Sequence, residues 1–317
     1  MINSRRDLLV GLIRHGLLIP TGIRGVFGWG SAFEQVVASL DAQITRLGGT
    51  ESAEIMRFPP VTSRSLLEAC GYLQTFPQLL GTIHAFCGNE QAHLELLRRL
   101  RTRDASWAFN HQPLELALTP AACYPVYPVL AERGPLPAAG CLVDVASFCF
   151  RHEPSDDPAR MQAFRLREFV RVGAPEVIVA FRDAWLDRAM AMIDALGLTA
   201  RIVPANDAFF GTQQKFLAAY QDENKLKFEL QIGMTSDEDG TACMSFNCHL
   251  DHFSRACNIR DAAGELAHSG CVGFGLERLA LALIAQHGFD VAAWFTDILA
   301  PRQSAQVNTT GLRKTPL

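Results

Sequence analysis

Residues 271–284 read CVGFGLERLALALI. Gly273 and Gly275 flank a single phenylalanine, so the first half is a strand with one bare face. The second half, a run of Leu and Ala, makes a helix that must be buried. Glu277 and Arg278 stand at the mouth of that apolar helix, and Cys271 opens the strand. A charged pair held at a buried helix entrance behind a glycine strand needs a partner or a ligand.

Working outward, the rest of the chain mixes long helices with short strands. Residues 31–49 place Phe33, Val36, Val37, Leu40, Ile44 and Leu47 on one helical face. Ser31 and Glu34 have the spacing of a capping box, and Gly48 is expected to end the helix. A strand follows and stops at Pro59 and Pro60. Strands are expected over 141–153 and 161–173, the second alternating Phe164 and Leu166 with Arg165 and Arg167. A long helix is expected over 175–198 and another over 211–225. Strands are expected in TARIVPAND, LKFELQIGM and TACMSFNCHLD. Long helices packed on many antiparallel strands make an α+β fold.

The bulk numbers exclude several classes. The chain has 317 residues, a net charge of −4 and about half apolar residues, an ordinary globular composition. That charge offers no general affinity for nucleic acid. LLRRLRTRD, with Arg98, Arg99, Arg101 and Arg103, is either a solvated helix end or a local basic patch. The opening DLLVGLIRHGLLIP is interrupted by Arg14 and His15 and reads as an amphipathic helix with an exit at Pro20, not a signal peptide. No apolar run approaches the ~20 residues that span a bilayer. Nine scattered cysteines, an odd number, do not make a disulfide framework and suit a reducing cytoplasm.

Three separated pieces now fall into one order: the helix and strand of 31–60, FRHE joined through a loop to RLREF over 150–169, and GFGLER at 273–278. In this order they resemble motifs 1, 2 and 3 of the class II aminoacyl-tRNA synthetases. FPPVTSRSLLEACGYLQTFP and MSFNCHLDHFSRACNIR are similar to segments of the seryl enzymes. The resemblance covers roughly 30–290, and only a short helical extension, 1–30, precedes motif 1 where those enzymes carry a tRNA-binding arm. That pattern is similar to the amino acid:[carrier protein] ligases, themselves similar to the zinc-dependent seryl enzymes. The implied organisation is a catalytic domain over 31–300 and a C-terminal tail over 301–317, expected to be disordered. The implied activity is ATP-dependent activation of a small amino acid, glycine or alanine, and its transfer to the phosphopantetheine thiol of a carrier protein. No tRNA and no membrane are expected as partners. The inserted helix over 211–225 is the expected carrier-docking element, and the motif 1 helix and strand imply a homodimer. A truncated tRNA-charging enzyme would need a basic arm, and a non-catalytic paralogue would show eroded motif arginines.

The resemblance also assigns roles. Arg151 would meet the α-phosphate of ATP and Arg278 the γ-phosphate, as bidentate cations around a developing oxyanion. Glu153 would accept from the adenine amino group, Phe169 would stack on the ring, and Arg160 and Met161 would close over it. Ala242 stands where related enzymes carry an acid for magnesium, so either its backbone or another acid such as Glu229 takes that job. Cys123, Glu168 and Cys271 match the ligands of a zinc ion whose open fourth position takes the substrate amine. Asn247 matches a position facing the amino acid. His249, His252 and His268 flank this region, either as satisfied structural histidines or as further metal ligands.

Overall fold

The computed structural model describes residues 2–299 except 50, 105, 107 and 237–239. The elements run α1 (Arg5–Arg14), β1 (Leu18–Pro20), β2 (Phe27–Trp29), α2 (Ser31–Gly48), β3 (Glu54–Arg57), β4 (Val61–Ser63), α3 (Arg64–Ala69), α4 (Tyr72–Thr75), β5 (Thr82–Phe86), α5 (Glu90–Arg101), β6 (His111–Leu118) and α6 (Val126–Glu132). They continue with β7 (Cys141–Phe150), β8 (Ala163–Gly173), α7 (Pro175–Ala195), β9 (Ala200–Pro204), α8 (Gln214–Glu223), β10 (Lys227–Ile232), β11 (Thr241–Leu250), α9 (His252–Cys257), β12 (His268–Gly275), α10 (Leu276–His287) and α11 (Val291–Leu299).

A seven-stranded sheet in the order β3-β7-β8-β12-β11-β10-β9 carries the site. All its pairs are antiparallel except the edge strand β3, which runs parallel to β7. Its two faces are separated by the pleat, since neighbouring residues point to opposite sides. Phe169, Phe246, Val272 and Phe274 join the core formed with α1, α2, α7, α10 and α11. Val143, Val145, Val170, Val172 and Cys271 join a second core with α3, α6 and α9. Leu8 and Leu12 of α1 belong to the first core, with Leu17 and Leu18 after them, so α1 and β1 pack onto the body that carries the large sheet. The tail expected over 301–317 lies outside the described residues.

Several local expectations are corrected. Gly30, not Ser31, caps α2, and no side chain closes that cap. Glu34 is drawn instead to Arg165, at 2.7 and 2.8 Å. Gly48 remains helical; a Cβ there would lie 2.2 Å from the Phe169 ring, so its bareness admits that ring. The arginines that alternate along β8 are held by acids of neighbouring elements. Arg167 is 2% exposed and reaches Asp144 at 2.5 Å and Asp41 on α2 at 2.8 Å. Ion pairs thus fix the motif 1 helix to the sheet. A separate three-stranded sheet, β4-β6-β5, with α5 beside it in the chain, was not anticipated. The arginines of α5 match the plainer expectation, for Arg98 and Arg99 both pair with Glu95 of their own helix.

Candidate active site

Cross-strand register lines up two rows across one face of the large sheet. Glu168, Gly273, Ser245 and Glu229 are successive Cα partners. Beside them run Val170, Cys271, Asn247 and Lys227. Gly273 is buried and bare on that face, where a Cβ would press on Ser245 Oγ at 3.1 Å.

At one end of this face lies a group of arginines. Arg151 leaves the end of β7, its Nε donating to the Pro120 carbonyl at 3.1 Å. Its guanidinium lies 5.4 Å from the centre of the Phe164 ring. Arg278 donates through Nε to the Ala159 carbonyl and through Nη1 to the Ala242 carbonyl, both at 2.8 Å. One arginine thereby clamps the motif 2 loop to β11. Burial lowers the Arg278 pKa, and the nearby cations Arg151 and Arg160 push the same way. Clustered cations whose charge is destabilised by one another are suited to a polyanion. Glu153 lies 3.8 Å from Arg160, near enough to join the same loop. Ala242 takes part through its backbone, as the anchor of Arg278.

Two sequence expectations fail here for one reason. Phe169 follows Glu168 on a strand, so the two cannot face the same way. Phe169 is 2% exposed on the far side, stacked on Trp185 at 4.9 Å and set edge-on to Phe274 at 6.2 Å. It lies on the side away from Glu168. Phe164 shares the strand parity of Glu168 and lies beside Arg151. Met161 is 5% exposed within the main core and cannot fold over a ligand, whereas the Arg160 side chain is 61% exposed and can.

At the other end the chain brings Cys123, Glu168 and Cys271 together. Glu168 Oε1 accepts the backbone N–H of Ala122 at 2.7 Å and of Cys123 at 3.2 Å. Burial, followed by the neighbouring Cys271, pushes the Glu168 carboxyl up to about 8. The Cys123 thiol is pushed up by its hydrogen bond to Cys271 and by burial. Cys271 is pushed the other way by that same bond, helped by His249. Asn247 Nδ2 donates to Cys271 Sγ at 3.3 Å. Among the described residues no group of three His, Cys, Asp or Glu side chains is arranged to hold a metal ion. Two sulfurs and a carboxyl buried together are nevertheless the donor types that suit a soft divalent cation.

His249 is the neighbour that sequence reading left open. It occupies a β-bulge between the pairs Cys248–Gly270 and Leu250–Ser269. The bulge aims Nε2 to 3.6 Å from Cys271 Sγ, with Nδ1 3.2 Å from Ser269 Oγ. Its place beside Cys271 depends on that irregularity, which the sequence pattern does not announce. His252 binds the Cys70 carbonyl at 3.0 Å and is structural.

No family model matches the chain. It is 48% identical over 275 residues to "Amino acid--[acyl-carrier-protein] ligase 2" of Bradyrhizobium diazoefficiens, covering 86% of this chain and 81% of that protein. Ligase 1 of the same organism is 47% identical over 277 residues, with 86% and 83% covered. A "Type-2 serine--tRNA ligase" of Methanopyrus kandleri is 28% identical over 199 residues, 57% of this chain and 37% of that one. Among solved structures, a complex of "A. aeolicus tRNASec" with "M. kandleri SerRS" matches at TM-score 0.75 and 18% identity, over 96% of this chain and 64% of that chain. Giardia lamblia prolyl-tRNA synthetase with prolyl-adenylate matches at 0.66 and 14%, over 89% and 52%. The chain thus spans less than two thirds of the synthetase chains it superposes on. These structural matches establish the α+β architecture of the class II synthetases.

Proposed function

The chain belongs to the amino acid–[acyl-carrier-protein] ligases, and from that membership we propose that it activates glycine or alanine with ATP and loads it onto a carrier protein. The observation that carries this reading is the single face on which Arg151 and Arg278 stand at one end and Cys123, Glu168 and Cys271 at the other. In the first step a substrate carboxylate oxygen attacks the α-phosphorus of ATP, and the bond to pyrophosphate breaks. Arg151 and Arg278 stabilise the charge on the phosphates, with Ala159 and Ala242 holding Arg278 in place. Glu153 takes the adenine amino group, and Phe164 and Arg160 enclose the ring. Magnesium would accompany the nucleotide, with Glu229 on β10 an acid on the same face. In the second step a phosphopantetheine sulfur attacks the acyl carbon, a thioester forms and AMP leaves. No enzyme nucleophile is required, because the mixed anhydride is already activated and positioning suffices.

Zinc held by Cys123, Glu168 and Cys271 would supply a Lewis-acidic open position for the substrate's amino group. Asn247 orients Cys271 and faces the amino acid. Carrier docking on α8 is supported by its unburied aromatic face, where Phe216 is 70% and Tyr220 44% exposed. Pairing of two copies through α2 and β3 is supported by the open edge of β3, whose Ile55 is 68% exposed. Among the described residues no single helix is long and apolar enough to cross a membrane; a cytoplasmic site of action is part of the proposal.

The test is ATP–pyrophosphate exchange on zinc-loaded protein with each of the twenty amino acids. Exchange restricted to glycine or alanine supports the reading. Exchange with none contradicts it.

A further inference from the structure

Two side chains meet the sulfur of Cys271, and one of them has no part in the steps above. Asn247 Nδ2 donates to Sγ at 3.3 Å, and His249 Nε2 stands 3.6 Å from the same atom. His249 is the extra residue of the β11 bulge, between Cys248 and Leu250. Leu250, next in the chain, has a φ of 53°, a conformation that side chains other than glycine rarely adopt. Strain of this kind persists only where the surroundings hold it, and it gathers at working sites. The His249 ring is held from several directions. Nδ1 lies 3.2 Å from Ser269 Oγ and 3.5 Å from the Tyr127 hydroxyl. The ring stands edge-on to Phe253 with centroids 4.9 Å apart, and Phe253 is itself stacked on Tyr127 at 4.0 Å. Ser269 and Tyr127 are fully buried.

The hydrogen bonds fix where the ring proton goes. A sulfur that binds a metal has given up its proton and can only accept. Nε2 then carries the ring proton and donates to Cys271, while Nδ1 accepts from the Ser269 hydroxyl. We propose that His249 is a positioning residue for Cys271, its Nε2–H holding the sulfur where Cys123, Glu168 and Cys271 can close together on zinc. The inference rests on the proposed function, in which the open position of that metal takes the substrate's amine. A hydrogen bond from outside the ligand set fixes the direction in which a ligand points, and its loss loosens the metal. His252, three residues on, bonds a backbone carbonyl instead and takes no part.

The experiment measures zinc affinity of the full-length protein by competition with a chromogenic chelator. On cobalt-loaded protein it records the sulfur-to-metal charge-transfer band. His249→Ala is expected to weaken zinc about 10- to 100-fold and to shift the band. In pyrophosphate exchange it raises the KM for the amino acid and leaves that for ATP unchanged. His249→Gln, which returns an N–H donor at similar reach without a zinc-binding imidazole, restores both affinity and band. Ser269→Ala, which frees the ring, shows the change of His249→Ala in smaller degree and carries the test if that variant does not fold. His252→Ala leaves affinity and band as in the wild type. Wild-type affinity and band in folded His249→Ala or in Ser269→Ala, or a loss in His249→Gln equal to that in His249→Ala, would overturn the inference and leave the proposed function standing. A wild-type protein that takes up no zinc contradicts the proposed function and this inference together.

Discussion

Arg165 and Glu277 are joined twice over: the Glu277 carboxylate accepts Arg165 Nε at 2.6 Å and the Arg165 backbone N–H at 2.7 Å. This explains the acid at the mouth of an apolar helix. Glu277 is 2% exposed, and Arg165 carries the connection on to Glu34 of α2. Motifs 1, 2 and 3 therefore meet at one guanidinium. Replacing Glu277 with Leu leaves that partly buried cation with only its exposed partner. It should cost about 3–5 kcal/mol in urea unfolding, whereas Glu277→Gln, which keeps the shape, should cost less.

Phe164 and Phe169 are predicted to separate binding from folding. Phe164→Ala should raise the KM for ATP in pyrophosphate exchange with little change in melting temperature. Phe169→Ala opens a cavity against Trp185 and Phe274 and should cost about 3–5 kcal/mol, measured by denaturant unfolding. Equal effects of both on the ATP KM would reject the face assignment.

On the proposed reading, Arg278→Ala should lower exchange kcat/KM on the order of 1000-fold, because it would remove a phosphate contact and release the link between the Ala159 and Ala242 carbonyls. Far-ultraviolet circular dichroism should be unchanged. Cys271→Ala should abolish stoichiometric zinc, read by elemental analysis of the purified protein.

Asp207 links α8 to the sheet, accepting Gln221 Nε2 and Lys227 Nζ at 2.7 Å each. Burial alone would raise its pKa, but Lys227 and Gln221 outweigh burial and hold the carboxyl below the usual range. Burial would likewise lower Lys227, and Asp207 with Glu229 outweighs it and raises the amine. The pair's stabilisation is then complete above the ordinary Asp value of 3.8 and lost as pH falls through the folded Asp value. At the basic end it is complete below 10.5 and lost as pH rises through the folded Lys value. The stability difference between wild type and Asp207→Asn should be flat between these limits and vanish in acid, checked by urea midpoints against pH.

What the sequence made legible were features written in order and spacing. CVGFGLERLALALI, FRHE with RLREF, and the amphipathic 31–49 helix were enough to anticipate the architecture. Cys123, Glu168 and Cys271 lie far apart in the chain and do meet, yet spacing alone did not pair them; the resemblance did. Phe169 departs from its expected place because neighbours on a strand point to opposite faces, and Glu168 beside it takes the face of the site. The alternation of Arg165 and Arg167 along β8 did not reveal their partners, because Glu34, Asp41, Asp144 and Glu277 come from three other elements. The bulge that turns His249 toward Cys271 left no compositional trace.

The most direct measurement of the central claim is the mass of a phosphopantetheinylated carrier after incubation with the protein, ATP and glycine or alanine. The account predicts a gain of one aminoacyl group on the pantetheine arm, removed by hydroxylamine and absent with unmodified carrier. An unmodified carrier mass alongside efficient amino-acid-dependent exchange would contradict transfer to a carrier thiol.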